Sequence, residues 1–347
     1  MSLAPGTPWT RTLLGDPEVE ALFGETAQGA WLKRVEIAFL EAQAALGVLE
    51  DAAASAAIAS VEAAILDAEG LVQGTARDGV VVPELVRMLG AGEAAGHVHA
   101  GLTSQDVIDA VAVLTAREVD RVLAARLTGL LAQIDGLEAR FGTRRIAGRT
   151  RMQVAGPIRV ADRLRNWRGP LARAQGRLAA AGAELRIFGG GGADGTGLRV
   201  AQAEAVSAEM ARRLGLDPGP PRHAQRDGWA TYGTCLAGIA GAAGKIGLDL
   251  TLMAQPEIAE AVLSEGGRSS AMPHKVNPVA AETVVALARH AAMLSAGMGQ
   301  ALLHEQERSG SAWMLEWMAV PQLQIAAGAA LRHVARALGD VQSLGAD

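Results

Sequence analysis

DVIDAVAVLTAREVDRVLAARLTGLLAQIDGLEARF, residues 106–141, carries Val107, Val111, Leu114, Val119, Val122, Leu127, Leu130, Leu131 and Ile134 at helical spacing. A helix this long cannot bury its apolar stripe within a small two-layer domain, so the stretch predicts a bundle of long helices. Working outward, Val160–Leu185, Leu198–Leu214, Asp227–Leu263, Ala280–Leu303 and Trp313–Leu338 repeat the pattern, with Pro256 as the expected kink in the fourth. Toward the N-terminus, residues 28–49 and 51–69 read as helices, Gly70 to Pro83 as loop and Pro83–Gly90 as a short helix. The fold expected is all-α, with a smaller N-terminal helical domain over 1–105 and a long-helix bundle over 106–347. Trp313, Met314 and Trp317 share a helical spacing and read as core or subunit-interface residues.

Composition agrees. Of 347 residues, 50% are hydrophobic and 3% aromatic, with Ala, Leu, Arg and Glu diluting Val, Ile and Thr. That excludes global disorder and an all-β fold. Lys and Arg number 32 against 37 Asp and Glu, the pI is about 5.9 and the mean hydropathy is +0.18. Such a balance speaks against a nucleic-acid partner. The lone Cys235 permits neither an internal disulfide nor a thiolate metal cluster. The N-terminus lacks the pattern of a signal peptide and no stretch reads as a membrane span, so the expectation is a cytoplasmic protein with no membrane partner.

Between the fourth and fifth helices stands Ser264-Glu-Gly-Gly-Arg-Ser-Ser-Ala-Met-Pro-His-Lys-Val-Asn-Pro278. Pro273 and Pro278 fix φ and push Met272 and Asn277 out of the α region, which predicts an extended, ordered loop. Gly266 and Gly267 would let it bend or move. The chain has three lysines, and one of them, Lys275, lies between those prolines. Ser269, Ser270, Lys275 and Asn277 could together handle an anion, a serine acting as base with the ammonium as its electrostatic partner. They could equally be surface polar residues on a Pro-rich turn.

Three further places carry unusual combinations. Thr103-Ser-Gln-Asp106 fits a capping box, with Thr103 as N-cap and Asp106 at N3, and free N–H groups with the Ser104 hydroxyl would suit a carboxylate there. His99, beside that turn, reads as a substrate contact or proton donor, or as a hydrogen-bonded structural histidine. His97 and His99 form an H-x-H pair without an evident third ligand, so no metal is expected. Arg149, Arg151 and Gln153 alternate and would share one side of an extended segment. Arg226 could hold a substrate carboxylate or pair near Asp227. Gly190-x-Gly192-x-x-Gly195 satisfies a dinucleotide pattern, but the surrounding long helices leave no room for a βαβ unit. A nicotinamide oxidoreductase would rest on that run alone, and no cofactor is expected.

Ser269–Pro278 resembles the signature loop of the fumarase/aspartase superfamily, Ser-Ser-x-Met-Pro-x-Lys-x-Asn-Pro. His99-Ala-Gly-Leu-Thr-Ser-Gln-Asp-Val-Ile-Asp109 is similar to the first block of that superfamily, and Gly148-Arg-Thr-Arg-Met-Gln-Val-Ala-Gly-Pro157 to the second. Gly191–Thr196, Gln225-Arg-Asp227 and the helix expected through Lys245 and Glu260 also resemble it. Within the superfamily the chain looks most like the bacterial 3-carboxy-cis,cis-muconate cycloisomerases. Arg151 stands where adenylosuccinate and argininosuccinate lyases carry His, and a permanently charged guanidinium is a poor proton donor.

The resemblance implies a cytoplasmic homotetramer whose active sites each draw one block from three subunits. It implies lactonisation of 3-carboxy-cis,cis-muconate to 4-carboxymuconolactone, a small tricarboxylate-type substrate, through an aci-carboxylate. Ser269 would transfer the proton, with Lys275 and Asn277 stabilising the aci-carboxylate and His99 available for a second proton. Thr103, Ser104, Arg149, Arg151, Gln153, Arg226 and Ser270 would hold carboxylates. Arg268, where a small residue is usual, leaves 3-sulfomuconate open as a substrate. The superfamily's small C-terminal domain is expected to be absent, as in a shortened subgroup. Adenylosuccinate lyase-like elimination and a catalytically silent helical scaffold are the remaining alternatives. A scaffold has no need of the signature loop, and Arg151 speaks against the former.

Overall fold

The structure is a computed structural model. It describes residues 6–190, 192, 200–220, 223–264, 266–268, 270–272 and 275–346. In chain order the helices are α1 (Arg11–Leu14), α2 (Pro17–Ala21), α3 (Glu25–Ala45), α4 (Asp51–Ala63), α5 (Ala68–Asp78), α6 (Val82–Leu89) and α7 (Ser104–Phe141). They continue as α8 (Val160–Glu184), α9 (Val200–Leu214), α10 (Asp227–Met253), α11 (Val279–Gln300) and α12 (Ser311–Gly339). Three two-stranded antiparallel ribbons complete the fold: β1 (Arg145–Thr150) with β2 (Gln153–Arg159), β3 (Ala261–Leu263) with β6 (Val341–Leu344), and β4 (Gly267–Arg268) with β5 (Val276–Asn277).

The bundle predicted from residues 106–141 is present. α7 runs the whole stretch, burying Val107, Val111, Leu114, Val119, Leu127, Leu130 and Ile134. It packs on α8 and α12, while α10 sits against α8, α11 and α12. At 38 residues and ~1.5 Å per residue, α7 is about 57 Å long. One hydrophobic core runs from Val19 to Leu344 and joins both halves of the chain, and α9 packs on α3.

Three expectations need correction. Residues 70–83 are not loop, because α5 occupies Ala68–Asp78. The glycines there serve close packing: a Cβ on Gly74 would lie 2.4 Å from the Glu84 Cβ, and Gly79, at φ 75°, ends the helix in the left-handed region. The fourth long helix stops at Met253, not at 263. Pro256 lies beyond its end instead of kinking it; having no N–H, and restricting Gln255 before it, the proline favours termination. By length and composition alone α10 and α11 are apolar enough to pass as membrane spans, but they pack on one another and on α12, as core helices do.

Candidate active site

α7 separates two groups of chemistry-bearing side chains by its own length. At its N-terminus the Thr103 N–H donates to Asp106 Oδ2 at 3.0 Å, as a capping box requires. The other oxygen, Asp106 Oδ1, lies 2.8 Å from His223 Nε2. Burial pushes the Asp106 carboxyl upward, and the His223 contact opposes that shift. Arg308 reaches across from the α11–α12 connection, its Nε 3.4 Å from His223 Nδ1 and its Nη2 donating to the Gly192 carbonyl at 2.9 Å. The Gly192 N–H in turn donates to the Gly101 carbonyl at 3.0 Å.

His99 sits beside the cap at a positive φ of 62°. Its N–H donates to Glu36 Oε2 at 3.0 Å, and its Nδ1 lies 2.9 Å from Glu36 Oε1. Glu36 is fully buried in α3. A neutral His99 donating from Nδ1 to that carboxylate presents the lone pair of Nε2, the usual way a carboxylate orients an imidazole for proton transfer. Thr103 and Ser104 are half-buried beside it. Two carboxylate–imidazole pairs, Glu36–His99 and Asp106–His223, thus flank the start of α7.

Arg226 is buried, and its guanidinium is held by carboxylates of the chain itself. Its Nη1 and Nη2 contact Asp109 Oδ2 and Oδ1 at 2.6 and 3.1 Å, and its Nε and Nη2 contact Glu316 at 2.9 and 2.5 Å. Trp313 Nε1 donates to Asp109 at 3.2 Å. Burial works against the charge on Arg226, yet the two carboxylates more than offset it and its pKa rises. The guanidinium therefore knits α7, α10 and α12 together through an internal ion cluster, and its donors are already engaged.

At the far end of α7 lies the β1–β2 hairpin. The expectation that Arg149, Arg151 and Gln153 share one side of a strand is corrected here. Thr150 pairs with Gln153, so Arg151 and Met152 form the two-residue turn, with φ of 48° and 67°. Positive φ at both central residues is what a twist-matched hairpin turn demands. It is met without a glycine, which projects the Arg151 side chain at the exposed tip. Arg149 is held by an acidic partner: its Nη1 is 2.7 Å from Glu260 Oε2, while Glu260 Oε1 accepts from the Ala147 N–H at 2.9 Å. Arg149, Arg151, Arg163 and Lys245 line one recess of about 420 Å³.

The signature loop leaves the bundle at this same end. It is an arm whose base is the β4–β5 pairing, Gly267 opposite Asn277 and Arg268 opposite Val276. Gly266 and Gly267 are required for close approach, where bending freedom was expected: a Cβ on Gly266 would meet the Asn277 carbonyl at 2.5 Å, and one on Gly267 the Val279 side chain at 2.5 Å. Ser270 and Lys275 are exposed and Asn277 is half-buried. Lys33 caps the Glu62 and Ala64 carbonyls and Lys245 pairs with Asp249, so among the described residues Lys275 is the lysine whose ammonium stays unengaged. Ser269 and most of the Gly191–Thr196 turn lie outside the described residues.

Four residues with a place here were not in the sequence-based site: Glu36, His223, Glu260 and Arg308. A signal existed for Glu36, a charge among the apolar residues from Val35 to Leu40. None existed for Arg308, one arginine among many. Among the described residues no cluster of His, Cys, Asp and Glu is arranged to hold a metal.

Comparison with known proteins places the chain in a family. A family profile described as lyase matches residues 20–292. The 3-carboxy-cis,cis-muconate cycloisomerase of Bradyrhizobium diazoefficiens is 36% identical over 310 residues, 86% of this chain and 69% of that one. The enzyme of the same name from Pseudomonas aeruginosa is 33% identical, over 95% of this chain and 73% of its own. The crystal structure of β-carboxy-cis,cis-muconate cycloisomerase from Acinetobacter calcoaceticus superposes with a TM-score of 0.87 at 26% identity, covering 96% of this chain and 78% of that one. The chain belongs to the lyase family of the fumarase/aspartase type.

Proposed function

We propose that the protein is a cycloisomerase that interconverts 3-carboxy-cis,cis-muconate and 4-carboxymuconolactone. In the forward direction a carboxylate oxygen forms a C–O bond to the conjugated diene, and a proton adds at the carbon next to another carboxylate. In reverse, that proton leaves first, its electron pair is held as an aci-carboxylate, and the ring carboxylate departs. Both directions pass through a concentrated negative charge that needs cations and donors already in place. The observation that carries the reading is the Lys275 ammonium on the signature arm, unengaged among the described residues, in a chain over 30% identical to several curated cycloisomerases.

Ser269 is the proton-transferring group of this proposal, with Lys275 and Asn277 stabilising the aci-carboxylate. Thr103 and Ser104 hold a carboxylate at the α7 N-terminus, and Arg149, Arg151, Gln153 and Ser270 hold others. His99, oriented by Glu36, is the group available for a second proton. Arg151 supplies charge and no proton, which suits a leaving group that is itself a carboxylate. Arg226 acts from behind, fixing Asp109 and hence the start of α7.

These groups meet only in an oligomer. The first block lies at one end of α7, the second and third at the other, about 57 Å away by helical rise. A homotetramer with sites shared between subunits resolves that separation. The exposed Met152 and Val154 on the hairpin and Met293 on α11 supply apolar surface for it. Ultraviolet absorbance of 3-carboxy-cis,cis-muconate tests the function. Wild-type protein should abolish the diene band and Ser269→Ala should slow this by ~10³-fold or more. An unchanged band with wild type overturns the proposal, with 3-sulfomuconate and then adenylosuccinate as the next substrates. Equal rates in both proteins keep the function and remove Ser269.

A further inference from the structure

Behind the Asp109–Arg226–Glu316 cluster, on the side away from the α7 N-terminus, lies a cavity of about 310 Å³ that the reaction does not use. Its walls come from both halves of the chain: Phe23 from the N-terminal segment, Val111 and Ala112 from α7, Trp229 from α10, and Trp313 and Trp317 from α12. Three of the six tryptophans of the protein thus face one space. Trp313 and Trp317 meet edge to face, with centroids 4.6 Å apart. Trp313 gives its N–H to Asp109, but the buried N–H of Trp317 has no partner among the described residues. The cavity shares Phe23, Gln28, Leu32 and Val81 with an outer recess of about 790 Å³ between α3 and α5, which provides a way in.

Size, lining and charge each narrow the occupant. The volume is about twice that of the ~150 Å³ cavity known to take a benzene ring, so one ring with a short substituent fits. Aromatic walls favour offset or edge-on contact with such a ring. An unsatisfied buried donor calls for an acceptor. The cluster along one wall holds two carboxylates against one guanidinium, which disfavours an anion. We propose that this cavity binds a neutral, single-ring aromatic molecule carrying one hydrogen-bond acceptor, seated on Trp313 and Trp317 with its acceptor on the Trp317 N–H. The occupied cavity abuts the ions that fix the first block, so occupancy stiffens the Asp109 end of α7 without touching the reacting atoms.

Acetophenone is the probe, added to the whole 347-residue chain in isothermal titration with tryptophan emission followed in parallel. Saturable binding with a change in emission is expected. Ala112→Phe, which fills the cavity from α7, should weaken binding at least tenfold. Trp317→Phe keeps a ring and removes the donor. It should weaken acetophenone several-fold, the loss of about one hydrogen bond, and leave toluene unchanged. Absence of saturable binding overturns the proposal, as does equal affinity in Ala112→Phe, or tighter binding of benzoate or tetramethylammonium. Should Ala112→Phe fail to fold, Trp317→Phe with the toluene comparison carries the decision.

Discussion

The two ends of α7 are built on opposite principles. At the N-terminal end nearly every carboxylate is internal and partnered: Glu36 by His99, Asp106 by His223, Asp109 and Glu316 by Arg226. At the C-terminal end the cations that matter are on the outside, Arg151 at a hairpin tip and Lys275 on an arm. A matched, buried end is rigid and shapes a fixed cradle. An end with unengaged cations keeps its electrostatic potential for a ligand. In the proposed oligomer, placing the two on different subunits would let each chain fold without having to bury its own reactive charges together.

That contrast can be broken from either side. The largest effect belongs to the outer end. Lys275→Ala should lower kcat/KM by ~10³-fold, about 4 kcal/mol of transition-state stabilisation, with an unchanged melting temperature. Mixing that variant with Thr103→Ala after joint unfolding and refolding should restore part of the activity neither has alone, because some mixed sites are then intact. No recovery would place both residues in one chain's site. The inner end should respond in stability instead. Arg226→Ala leaves the buried Glu316 and the half-buried Asp109 without a counter-charge and should cost ~3–5 kcal/mol in denaturant unfolding.

A smaller effect tests whether matching extends along the helix. Asp120, midway down α7, accepts from the Tyr232 hydroxyl at 2.8 Å, and burial pushes its carboxyl up to about 6. Its folded pKa is above the unfolded value, so the folded state binds the proton more tightly between about pH 4 and 6. Stability should therefore fall as pH rises through that window, by at most ~3 kcal/mol. Asp120→Asn should abolish the slope and raise the melting temperature at pH 7 while changing little at pH 4. Smallest is Gly74→Ala at the α5–α6 contact, where a new Cβ meets Glu84 and should cost ~1–3 kcal/mol with no effect on turnover.

The long helices were legible because their apolar periodicity is repeated over many turns, as in Val107 to Ile134. α5 was not, since Gly70 and Gly74 read locally as breakers and only the packing of Gly74 on Glu84 explains them. The signature arm and the capping box were legible as short, constrained strings. The pairing of Glu36 with His99 joins residues 63 apart, and that of Asp106 with His223 residues 117 apart, and no local pattern encodes either. The Arg149–Arg151–Gln153 alternation misled because two residues in the left-handed region reverse the chain inside it.

That turn has a consequence for selection. Arg151 and Met152 both hold a backbone conformation that a glycine or asparagine would adopt at less cost. Heat-based screening of random variants would therefore favour losing one of these side chains. If Arg151 holds a carboxylate as proposed, a thermostable descendant carrying Arg151→Gly would be a better hairpin and a poorer catalyst, so screens for hardiness in this chain need an activity readout beside the melting curve.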